Sequence, residues 1–79
     1  MKQALRDFIF QELIFVADPK SFSDDDNLLK AGLDSMGIMR LIMHIEDNFG
    51  VILPDTEIEP ENVQSFNALE KWILQHKTV

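Results

Sequence analysis

No cysteine occurs among the 79 residues. Disulfides and thiolate metal sites are therefore excluded, and no redox clue to the compartment remains. Positive charge is scarce as well. Seven Lys and Arg stand against 14 Asp and Glu, a formal net charge of −7. That excludes nucleic acid and anionic membranes as expected partners, since both demand basic patches. No apolar stretch is long enough to span a bilayer. The start, Met1-Lys2-Gln3-Ala4-Leu5-Arg6-Asp7, breaks into charge too soon for a signal peptide. A cytoplasmic protein that meets basic surfaces is the expectation. Residues 1–79 are expected to form one domain, because a chain this short closes one core and buries only about 60–65% of its unfolded surface. So small a core leaves little room for an elaborate active site.

What is present is helical periodicity. Leu5, Phe8, Ile9, Leu13 and Val16 recur on one face and predict an amphipathic helix over Lys2 to Val16, ended by Pro19. Phe10 and Ile14 lie roughly opposite that face. They either pack under a loop or meet a partner, and the pattern leaves both open. From Asp18 to Asp34 the period fails, and a long loop is expected, pinned by Phe22, Leu28, Leu29 and Leu33.

Ser35 to Phe49 predicts the second helix, with Ile38, Leu41, Ile42, Ile45 and Phe49 as its buried face. Asp34 suits the N-cap and Gly50 the C-terminal stop. Gly37 in the first turn costs about 1 kcal/mol of helix propensity against alanine. Val51-Ile52-Leu53-Pro54 predicts an extended connector. A short third helix falls within Glu57 to Gln64, starting either at Pro60 or earlier with Thr56 as cap. The last helix runs from a Ser65 cap to His76 and buries Phe66, Leu69, Trp72 and Ile73. The fold class is all-α: a four-helix bundle with three main helices, one short third helix and a long first loop.

Ser35 opens the second helix, where free amides and the positive end of the dipole favour an anion on its oxygen. By position alone the plain reading, a capping or first-turn residue, is favoured, because Ser and Asp are common at helix starts. Other candidates are weaker. Asp24-Asp25-Asp26-Asn27 lacks the alternation, glycine and distal glutamate of a calcium loop and is expected to be solvated. Glu57, Glu59 and Glu61 are expected to form a solvated cluster at a helix start. His44 and His76 are far apart, with no cysteine to join them into a zinc site. Ser35 and His44 are separated by about 13 Å of helical rise, which rules out a nucleophile–base pair.

Three linked motifs then bear on Ser35. Gly32-Leu33-Asp34-Ser35-Met36 opens the second helix, Ile45-Glu46-Asp47-Asn48-Phe49-Gly50-Val51 closes it, and Leu53-Pro54-Asp55 follows. Asn62-Val63, Ser65-Phe66 and Leu69 continue the pattern. Together they resemble the acyl carrier proteins from Leu5 to Ile73. The resemblance implies an acyl-carrier-type bundle with Ser35 as the attachment point of phosphopantetheine, transferred from coenzyme A by a phosphopantetheinyl transferase. It implies that Asp34 caps the helix and is read by that transferase. It implies no enzyme activity of its own. The arm's thiol holds acyl or aminoacyl cargo as a thioester for partner enzymes (a synthase, ligase or transferase) of fatty-acid, polyketide or other specialised biosynthesis. No base stands beside Ser35 in the sequence, so the transferase must supply one.

Partner contacts are expected at Met36, Arg40, Met43, Asp47 and Ile58. Met36, Met39 and Met43 form a stripe whose plain reading is core filler, with Met36 exposed enough to touch a partner. By resemblance, carried chains enter between the second and third helices near Met43, Ile58 and Val63. The exposed face of the second helix departs from the family, with Gly37, Arg40 and His44 where acids are usual. Arg40 stands at a usual glutamate, which fits either a dedicated pathway or surface drift. A monomeric stand-alone carrier is the expectation, because the chain begins at Met1 and ends soon after its last helix. The alternative is a small acidic helical interaction module that is never modified.

Overall fold

The computed structural model describes residues 1–77. Helix α1, Lys2–Phe8, runs without a break into one π turn, Ile9–Leu13. The Ile14 amide donates to the Ile9 carbonyl at 2.8 Å, which closes that wider turn. Ile14 is already extended at φ −133° and ψ 136°. The helix therefore ends before Val16 is reached, and Pro19 does not stop it. The wider turn shifts the helical phase, and Ile14 swings into the core at 6% exposure. Phe10 packs under the first loop, edge-on to Phe22 and Phe66 at 5.4 and 5.6 Å between ring centres. Both open residues are thus packing residues.

The first loop is tied down on two sides. A 3-10 turn at Pro19–Ser21 starts it. The Arg6 guanidinium donates to the Pro19 carbonyl and, at 3.2 Å, to the Asp24 carboxylate. It also lies over the rings of Phe10 and Phe66, 5.3 and 5.0 Å from their centres. On the far side the Leu28 amide donates to the Gln64 carbonyl at 2.6 Å, and the Asn67 amide to the Asp24 carbonyl at 3.1 Å. Leu28 is fully buried and Leu33 nearly so. The acidic run is engaged rather than merely solvated. Asp24 faces Arg6 and Lys2, Asp25 accepts from Asn67, and Asp26 accepts from the Ser23 amide.

Helix α2 spans Ser35–Phe49, α3 Pro60–Val63 and α4 Phe66–His76. A 3-10 turn at Asp55–Glu57 precedes α3, so the third helix begins at Pro60, with Glu59 before it. The caps stand where the residue types predict. The Gly37 amide donates to Asp34 Oδ1 at 2.9 Å, and the Ala68 amide to Ser65 Oγ at 3.1 Å. Gly50 closes α2 at φ +66°, a conformation that favours glycine. In the connector, Val51 and Leu53 are buried while Ile52 between them is exposed, as an extended segment requires. Leu5, Ile9, Leu28, Leu41, Ile45, Phe66, Leu69, Trp72 and Ile73 meet in one core that all three main helices share. No helix among the described residues is long and apolar enough to cross a membrane.

Candidate functional site

Ser35 is the first residue of α2 and is exposed. The local backbone explains why. Gly32 sits at φ +122°, which lets the loop turn so that Leu33 plunges into the core. Asp34 follows in extended conformation, φ −112° and ψ −177°, and its carboxylate takes the Gly37 amide. Ser35 then faces solvent at the helix start. Its neighbouring first-turn amides and the positive end of a 15-residue helix suit a bound phosphodiester. The Ser35 hydroxyl enters no hydrogen bond among the described residues. It is accessible, and among the described residues no basic group is bonded to it.

Gly37 proves to be buried, not part of the exposed face as expected. A Cβ there would stand 3.1 Å from Leu33 Cδ1 and 3.3 Å from Asp34 Oδ1. The missing side chain makes room for the anchoring leucine and the capping carboxylate together, which offsets its poor helix propensity.

The methionine stripe is a second correction. Met36, Met39 and Met43 are 77, 44 and 62% exposed, so none is core filler. α2 is covered on one side only, and the stripe lies beyond the edge of that contact. Met36, Arg40, Met43 and Asp47 all lie exposed along one strip of α2, as their spacing of three and four residues requires. Ile58 stands apart, half-buried against the core. Val63 is buried within that core.

Arg40 is engaged within the chain. Its Nη2 lies 3.6 Å from Glu12 Oε1, and Nη1 donates to the Glu12 carbonyl at 3.3 Å. His44 stacks on Phe8 with ring centres 3.9 Å apart and lies 3.1 Å from the Asn48 amide nitrogen. Near the third helix, Glu57 Oε1 accepts from Trp72 Nε1 at 2.8 Å and lies 2.6 Å from His76 Nε2. The bonds from Trp72 and His76 hold the Glu57 carboxyl below its ordinary range. Glu59 moves the other way, because it shares a hydrogen bond and like charge with Glu61. Of these carboxylates Glu57 is therefore structural, not simply solvated. Sequence reasoning missed this link, since no local pattern joins residues fifteen and nineteen positions apart.

The family model described as phosphopantetheine attachment site matches residues 8–73. The chain belongs to that carrier family. Phosphopantetheine is thus its covalent cofactor, and the exposed helix start fits such a group. When bound, the arm supplies the thiol that this cysteine-free carrier lacks. Family membership makes residues 8–73 a carrier domain.

Among the relatives of this carrier, aminoacyl carrier protein 2 of Bradyrhizobium diazoefficiens is 44% identical over 50 residues, covering 63% of this chain. The match spans only 56% of that relative's own length. Two solved structures share the fold. One is the Bradyrhizobium japonicum glycine:[carrier protein] ligase complexed with cognate carrier protein and an analogue of glycyl adenylate. The likeness has a TM-score of 0.70 and 28% identity, over 94% of this chain and 91% of that one. The other is the same ligase complexed with glycylated carrier protein, at TM-score 0.68 and 29% identity, over 91% and 92% of the two chains. These likenesses show the carrier-type helical bundle expected from the sequence.

Proposed function

We propose that this protein carries an aminoacyl group as a thioester on a phosphopantetheine arm at Ser35, and that an ATP-dependent aminoacyl ligase loads it. The observation that carries the reading is the exposed Ser35 at the capped start of α2, within the matched family region. The choice of cargo is supported by the relative named as an aminoacyl carrier protein and by the ligase complexes. Burial of Val63 and the half-burial of Ile58 favour a small cargo, since both are used in packing.

In the modification step, the Ser35 oxygen forms a bond to the phosphorus of coenzyme A that bears the pantetheine. The bond from that phosphorus to the nucleotide phosphate breaks, and the hydroxyl proton leaves to a base. That base belongs to the phosphopantetheinyl transferase, because Ser35 has none beside it. The chain acts here as substrate, with Asp34 holding the helix start rigid and marking it for the transferase. One shared core supports a single domain over residues 1–77. The carrier is read as monomeric and cytoplasmic.

The test is incubation with coenzyme A and a broad-specificity phosphopantetheinyl transferase, followed by intact mass spectrometry. Wild type gains one phosphopantetheine, and Ser35→Ala gains none. A gain that survives Ser35→Ala would overturn Ser35 as the attachment point, and no gain in wild type would return the protein to the class of unmodified interaction modules. The modified protein is next offered amino acids, ATP and the ligase. Acceptance of fatty or polyketide starters only would overturn the aminoacyl cargo.

A further inference from the structure

Phe15 is 89% exposed, more than Met36 at 77% or Met43 at 62%. An aromatic ring left in water forgoes the gain of burial, and such a ring beside a working site marks a contact surface. Its place is held by its neighbours. Ile14 is extended, so successive side chains point to opposite sides. Ile14 turns inward, with Cγ2 3.9 Å from where a Cβ on Gly32 would stand. Phe15 therefore turns out. Leu13 Cδ2 lies 4.0 Å from the same position on Gly37, and Glu12 holds Arg40. The three residues before Phe15 thus touch residues on either side of Ser35. The backbone at Phe15 therefore leaves the helix at the end of the molecule where α2 begins, and the ring stands in water there.

The charge at this end is also unusual for a chain of net charge −7. Arg40 is the only Lys, Arg, Asp or Glu between Asp34 and Glu46, and its guanidinium faces Glu12. Asp34 spends one carboxylate oxygen on the Gly37 amide. Apart from Asp34 and the Arg40–Glu12 pair, the surface of α2 next to the root of the arm is uncharged, and most of the acids lie in the first loop and from Glu46 to Glu61.

We infer that Phe15 is an anchor for the aminoacyl ligase, seated with Met36 in an apolar socket at the ligase's entrance. The inference rests on the aminoacyl reading above. A loading enzyme must cover this face at each turnover, since it surrounds the root of the arm. Complementarity requires that the covering surface be apolar rather than a basic patch.

The test uses the pantetheinylated protein with the glycine:[carrier protein] ligase, glycine and ATP. Initial rates are measured for wild type, Phe15→Ser and Phe15→Leu at about 50 and about 500 mM NaCl. Phe15→Ser should raise the KM for the carrier about tenfold with kcat nearly unchanged, and Phe15→Leu should recover part of the loss. Wild-type KM should change less than about threefold with salt. Thermal melting should not move, because the ring supports no core. An unchanged KM for Phe15→Ser, or a steep salt dependence in wild type, overturns the anchor while leaving the aminoacyl reading intact. An equal loss in the transferase reaction but none in loading assigns the ring to the transferase and overturns the ligase assignment. Wild type that accepts no amino acid overturns the aminoacyl reading and the ligase assignment together.

Discussion

Arg40 of α2 closes on Glu12 at the end of the first helix, with charged atoms 3.6 Å apart and a second bond to the Glu12 carbonyl. The one Lys, Arg, Asp or Glu between Asp34 and Glu46 is thus committed to an internal partner. Both side chains are about half exposed, at 55 and 52%. Such a pair contributes about 0–1 kcal/mol. Arg40→Glu would bring two carboxylates together at the join of α1 and α2. It is expected to lower the urea midpoint slightly, and Glu12→Gln in the same chain should restore it. A dedicated-pathway role for Arg40 would also show as a gain of loading by housekeeping fatty-acid synthase enzymes in Arg40→Glu. No gain leaves Arg40 as a structural clasp.

The capped start of α2 makes a second prediction. Asp34→Ala removes the acceptor of the Gly37 amide and should cost about 0.5–2 kcal/mol in chemical denaturation. Modification of Ser35 should slow in parallel, because the turn that presents it frays. Gly37→Ala separates propensity from packing. Alanine gains about 1 kcal/mol of helix propensity, yet its Cβ would stand 3.1 Å from Leu33 and 3.3 Å from Asp34. We expect the crowding to cancel the gain, so that the measured stability does not rise.

Two nearby glutamates should respond to pH in opposite directions. Glu57 titrates below its ordinary range because Trp72 and His76 bond to its charged form. Its stabilisation is present above the unfolded value and is lost as pH falls through the folded one. Glu57→Gln should therefore melt below wild type at pH 7, with the gap narrowing in acid. Glu59 is raised by Glu61, so its charge opposes folding at neutral pH. Glu59→Gln should melt above wild type at pH 7, and that gap too should narrow as wild type protonates. Melting curves from neutral to acid pH check both signs.

Arg6 offers a test of the first loop. Its side chain is 17% exposed and joins α1 to Pro19, Asp24 and two aromatic rings. Lysine cannot reproduce a planar fork that stacks and donates twice. Arg6→Lys is expected to cost about 1–3 kcal/mol and to speed proteolysis within the loop, measured by limited digestion. An unchanged digestion rate would mean that the Leu28 and Asn67 bonds hold the loop without it.

Much of this was legible in the chain itself. Ser35 follows a capping aspartate and a glycine that turns the backbone, and those local preferences place its hydroxyl in water whatever the helices pack against. The caps Ser65 and Gly50 and the buried faces of α2 and α4 follow from residue type and period for the same reason. Tertiary structure decided the rest. Period gives the angle of a side chain about its own helix axis but not the width of the contact that covers it. Met39 and Met43 lie beyond that width and stay in water, while Gly37 lies within it. Ile14 went inward and Phe15 outward because a π turn and an extended residue reset the phase at the end of the first helix. Arg40 found Glu12, and Glu57 found Trp72 and His76, only when distant segments met, and no local pattern encodes such meetings.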